Sequence, residues 1–176
     1  MKKSGKIALC GVFSALAVVC MILTIIPVAT FLMPALAGII LMPIAKELGI
    51  RWGLGAYIVS CLIAFLVTPD VEAKVLFITF FGYYPILKLI IDQYLQKVVK
   101  WVCKFAIFNA SMILSYLFLL FVLGIPMDSF EIFGYTVPWV FLLVGNVVFV
   151  LLDRSIDVCL YFYEKRLHTL FLKIFK

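Results

Sequence analysis

Charge is scarce in this chain. Only 14 % of its 176 residues are charged, against 66 % hydrophobic, and nine of them are acidic. A soluble domain carries roughly a quarter charged and half apolar residues, and small domains bury only about two-thirds of what the unfolded chain exposes. No compact soluble fold of this size could hide so much apolar surface, so lipid is the missing solvent. The mean hydropathy of +1.24 points the same way. A secreted disulfide scaffold, a disordered tail and a soluble enzyme are thereby excluded. Five cysteines are scattered with no CxxC pair, which supports neither a zinc site nor a disulfide framework. The sole histidine, His168, lies near the C-terminus, so no intramembrane histidine site for a metal or a triad is available. A GxxxxGK[ST] phosphate loop, a GxSxG elbow and a paired-acid motif like that of intramembrane prenyl-protein proteases are all missing. We expect no enzyme, no cofactor and no metal.

What is present is a series of apolar runs. A spanning helix needs about 20 predominantly apolar residues, somewhat fewer in a thin bilayer or beside partner helices. The runs are Ile7–Pro27, Ala35–Ala45 (from Phe31 if the helix begins early), Trp52–Val67, Val75–Ile91, Trp101–Leu123 and Val137–Leu152. Between them stand Pro27 and Pro34, the charged patch Lys46–Arg51, the polar loop Thr68–Lys74, the charged connection Asp92–Lys100 and the loop Gly124–Thr136. The expected fold is one all-α bundle of six transmembrane helices in a single domain. The second run is the weakest. The first, though basic at its start, exceeds the 7–15 apolar residues of a signal peptide and reads as an uncleaved helix.

Charge placement orients the bundle. With the N-terminus inside, every basic residue except Lys74 and Lys88 falls on the cytoplasmic side. Basic residues are retained there, which predicts a multi-pass plasma-membrane protein with both termini cytoplasmic. The net charge of +6 is explained by this asymmetry rather than by nucleic acid. Over residues 155–176, Ile156, Leu160, Tyr163, Leu167, Phe171 and Ile174 recur at helical spacing, an amphipathic cytoplasmic tail expected to lie near the headgroups.

Polar groups at depth are expensive in lipid and are therefore the candidates for function. At 1.5 Å per residue, Asn109 stands about 12 Å up the fifth span and Asn146 about 13 Å down the sixth. Tyr83 and Tyr84 lie at similar depth in the fourth, where Pro85 frees a carbonyl near Phe81. Either these helices surround a polar pocket, or the asparagines bond across the bundle and Pro85 only kinks a helix. Lys88 can snorkel to the cytoplasmic headgroups. Asp70, Glu72, Asp128 and Glu131 form an acidic outer face, and Asp70 is placed to cap the fourth helix. Ser4, Ala8, Gly11 and Ala15 form a strip of small residues on helix one, which lets another helix approach closely, from this bundle or from a partner.

Six short helices, a basic N-terminus, that strip and the lack of an energy-coupling motif resemble the substrate-binding S components of bacterial energy-coupling factor (ECF) transporters. In that family an A-x-x-x-A face of helix one docks on a transmembrane coupling subunit powered by two ATPases. The matching positions here are Gly11 and Ala15, continued by Ala8 and Ser4. Phe80–Lys88 (FFGYYPILK) also looks like a block of uncharacterised S-like bacterial membrane proteins. The resemblance implies a membrane subunit that binds a small, vitamin-like solute, with Tyr83, Tyr84, Asn109 and Asn146 orienting it and Trp139 near the entrance. Two departures stand out: the loop Pro27–Pro34 is short and apolar, and no span has a dense polar lining. The alternative is a non-transporting scaffold or regulatory protein acting through its basic tail.

Overall fold

The computed structural model describes residues 3–26, 29–123 and 138–167, without the side chains of 122, 123, 138–141, 166 and 167. Within them the chain is all-helical. The helices are α1 (Lys3–Ile22), α2 (Leu32–Leu48), α3 (Ile50–Val67), α4 (Val71–Leu76), α5 (Tyr84–Tyr94), α6 (Lys97–Leu123) and α7 (Pro138–Phe162). A 3₁₀ turn, Leu23–Ile25, extends α1, and a π turn, Tyr163–Leu167, extends α7. Among the described residues, four stretches are long and apolar enough to cross a membrane: Lys3–Ile25, Ile50–Val67, Val71–Tyr94 and Lys97–Phe121. Their outward faces carry large apolar side chains such as Leu66 and Phe121, 81 % and 82 % exposed. This surface is compatible with a membrane location.

α2 is the hub. It packs against α1, α3 and α5, and Ala37, Leu41, Ile44 and Ala45 are buried on it among the core of the α1–α3 unit. The run that reads weakest by length is thus the most enclosed helix, because its small residues let neighbours close on several sides. Gly53 of α3 lies against Ala45; a Cβ at Gly53 would stand 2.5 Å from the Ala45 Cβ. One residue, Gly49, turns the chain from α2 into α3, at a φ of 97° that suits glycine.

Val71–Tyr94 forms one interrupted apolar stretch. Pro85 lacks the N–H that would bond the Phe81 carbonyl, and the preceding turn widens into a π turn over Phe77–Phe81. The Gly82 N–H reaches back to the Phe77 carbonyl at 2.9 Å. That leaves the Ile78 carbonyl without its usual helical donor, and the Tyr57 hydroxyl of α3 donates to it at 2.6 Å. The Phe81 carbonyl lies against Gly38 of α2. The expected release of a carbonyl by Pro85 therefore becomes a way to seat α3 and α2 on this stretch.

At its N-terminal end Asp70 caps α4, accepting from the N–H groups of Glu72 at 2.9 Å and Ala73 at 3.2 Å. Asp70→Ala removes both acceptors and should cost about 1 kcal/mol, read as a lowered midpoint of unfolding in mild detergent.

The connection expected at Asp92–Lys100 is shorter in the structure. α5 runs to Tyr94 and α6 begins at Lys97, so Asp92, Lys97 and Lys100 are helical. At the beginning of the tail Tyr163 is buried and donates to Glu47 Oε1 at 3.1 Å, and Glu164 pairs with Lys46. Residues 168–176 lie outside the described residues.

Candidate functional site

Asn109 of α6 and Asn146 of α7 meet as a reciprocal amide pair, each Nδ2 donating to the other's Oδ1 at 3.0 Å. Their remaining N–H groups go to the carbonyls one turn back, Phe105 at 2.8 Å and Leu142 at 2.6 Å. Every donor of the pair is used.

The two tyrosines of α5's N-terminus go elsewhere. The Ser111 hydroxyl donates to the Ile107 carbonyl at 2.8 Å, so the Tyr83 hydroxyl donates to Ser111 Oγ, also at 2.8 Å. Tyr84 is fully buried and donates to Asp153 Oδ1 at 2.6 Å. An aromatic stack lies around it, Phe80 at 4.7 Å and Phe149 at 5.4 Å between ring centroids, with Phe108 on Phe149 at 4.7 Å. The structure thus joins Asn109 to Asn146 and separates Tyr83 and Tyr84 into two other bonding systems. Trp139 falls in the first turn of α7, and its side chain, like Asp128 and Glu131, lies outside the described residues.

Lys88 does not snorkel. Its side chain is 2 % exposed and reaches Asp153 Oδ1 at 2.6 Å and Asp157 Oδ1 at 2.9 Å, with Asp92 Oδ2 at 3.6 Å. Lys104 completes the cluster, 2.9 Å from Asp92 Oδ1 and 3.1 Å from Asp153 Oδ2. Lys100 donates to the Asp92 carbonyl at 2.7 Å. The cluster holds three cations and three carboxylates, so its formal charge cancels. Lys88 turns inward because three carboxylates converge on it from α5 and α7, and a paired buried charge costs far less than a bare one.

These partners carry a signal in the sequence that single-residue reading passes over. Lys88 and Asp92, Lys100 and Lys104, and Asp153 and Asp157 are each four apart, so each of three helices offers two charges on one face. A second missed set is a seam of hydroxyls on α6. Ser115 Oγ contacts Thr79 Oγ1 of the π turn at 2.6 Å and donates to the Ser111 carbonyl at 2.8 Å. Further out, Tyr57, Ile58, Cys61, Leu62, Phe65 and Ile78 line an apolar groove of about 320 Å³ between α3 and the π turn.

The strip on α1 is open. Ser4, Ala8, Gly11 and Ala15 are all exposed, and a Cβ at Gly11 would meet nothing within 4 Å. α1 turns instead Leu9, Ser14, Ala17, Val18 and Met21 inward, with the Ser14 hydroxyl donating to the Ala56 carbonyl of α3 at 3.2 Å.

On the tail, burial and then the adjacent Glu47 carboxylate push the Tyr163 phenol above its ordinary range, so it remains a donor to Glu47 at neutral pH.

Comparison of the chain with protein-family models, with curated proteins and with solved structures finds no match in any of the three. Fold and site therefore define its class: among the described residues, an all-helical protein with helices long and apolar enough to cross a membrane, a buried charge cluster and an exposed strip of small residues.

Proposed function

We propose that the chain is a six-span membrane protein, both termini cytoplasmic, that serves as the solute-binding subunit of an ECF-type importer. The observation that carries this reading is the outward strip of α1. In lipid, apolar surface alone gives two helices no reason to associate, and small residues do so by letting backbones approach. Ser4, Ala8, Gly11 and Ala15 present such a face and their own bundle leaves it uncovered. A transmembrane coupling subunit, with its two ATPases, is the partner in this reading.

α2, at 17 residues, and α7, at 25, supply the second and sixth spans. A small solute enters from outside among α5, α6 and α7, and the Asn109–Asn146 pair opens to receive it. Tyr83 and Tyr84 border that space, and Trp139 stands nearer the entrance. The alternative scaffold role has less support, since Tyr163 and Glu164 are already engaged by α2.

Affinity capture of the tagged chain from native membranes should recover a coupling subunit and two ATPases. Gly11→Leu should leave the chain folded and lower that recovery about tenfold, the effect of ~1.4 kcal/mol of lost docking energy. Equal recovery with the leucine, or no such complex from the unaltered chain, would overturn the reading.

A further inference from the structure

In lipid an apolar helix loses little by exchanging a neighbour for acyl chains, so what fixes its position is close packing and polar contact. Along α7, between residues 142 and 165, the first is confined to one narrow seam: Phe149, Asp153, Ile156 and Tyr163 are buried, four, three and seven residues apart, with Leu152 and Leu160 half-buried beside them. On the other side Leu143, Val147 and Leu151 are 67 %, 66 % and 64 % exposed.

Polar contacts occur along this seam at three depths: Asn146 on Asn109, Asp153 on Tyr84, Lys88 and Lys104, and Tyr163 with Glu164 on α2. The middle one is the strongest, because Asp153 accepts from two other helices while almost wholly buried. Buried ion pairs are poor contributors to stability compared with apolar residues of the same volume; their best-attested use is to set a register or hold a switch.

We propose that α7 is a movable helix and that the Asp153 cluster is the catch that holds it closed against α5 and α6. With the catch released, α7 swings from α6 into lipid and the Asn109–Asn146 pair parts. This device does not depend on the identity of the solute or on any partner.

The test places genetically encoded spin labels at the exposed positions 106 on α6 and 147 on α7, leaving the native cysteines in place, with a control pair at 12 on α1 and 58 on α3. Distances are read by pulsed electron resonance on the full chain in lipid nanodiscs. The otherwise unaltered chain should show one narrow α6–α7 distance. Asp153→Asn should add a longer one. Tyr84→Phe, which keeps the ring in its stack and removes only the hydroxyl, should raise the ratio of long to short distances about tenfold, as loss of a hydrogen bond to a charged acceptor would. The control distance should not change. A single short α6–α7 distance in folded Tyr84→Phe would overturn the proposal, and so would equal broadening at the control pair. Should Asp153→Asn not fold, Tyr84→Phe decides alone.

Discussion

Asp153→Ala should destabilise the protein by about 3–5 kcal/mol, the cost of breaking a buried ion pair from one side. The substitution removes the acceptor of Tyr84 and one partner of each buried lysine. Lys88 keeps Asp157, 2.9 Å away, and Lys104 keeps Asp92 at the same distance, but both remaining carboxylates lie toward the rim. Asp157 is 44 % exposed, so Asp157→Ala should cost at most about 1 kcal/mol, as at a surface pair. Removing both charges is a different matter. Lys88→Met with Asp153→Leu should recover part of the loss, since the two buried charges leave together and apolar side chains fill the space, while Asp157 and the Tyr84 hydroxyl each lose a partner. Reversible denaturant unfolding in micelles measures all three. Equal losses for Asp153→Ala and Asp157→Ala would show that burial does not control this cluster.

Gly38→Val should be the most damaging substitution on α2. A Cβ there would stand 1.9 Å from the Phe81 carbonyl oxygen and 2.8 Å from its carbon. Neither is the flexible end of a side chain. Backbone must move, and the backbone concerned is the π turn already shaped by Pro85 and tied to α3 through Tyr57. Overpacking of a tight core costs about 1–3 kcal/mol and more where main chain is displaced; the upper end or beyond is expected here. Gly11→Val is the matched control, with open space around it, and should cost no stability, since valine is a slightly better helix former than glycine. Thermal unfolding of the two variants side by side decides the point. Near-equal melting temperatures would mean that α2 and the π turn are not in tight contact.

Much of this architecture is legible residue by residue. Apolar runs separated by prolines and charges mark the helices, since a chain in lipid must satisfy its backbone within each segment. Asp70 ahead of a helix with Glu72 in its first turn reads as a cap, and does so because the signal is local. The depth estimate that sets Asn109 and Asn146 level rests only on helical rise, and the pair is in contact. The fate of Lys88 was not legible from Lys88. Its pairing depends on Asp153 and Asp157, 65 and 69 residues later in the chain, and on the rotation that turns both toward it. Ser111 and Ser115 give no signal among apolar neighbours, because serine in a helix can bond its own backbone and carries no long-range sign.

Composition and periodicity alone gave the described chain helices long and apolar enough to cross a membrane, because lipid compatibility is a property of each segment summed over its own side chains. They also set the charges in i, i+4 pairs and left the small residues of α1 on one face. Tertiary structure decided which faces meet. It made the short α2 the hub and turned the strip of α1 outward. It also gathered the charges of α5, α6 and α7 into one neutral cluster, since burying any of them alone would cost more free energy than a single helix can supply.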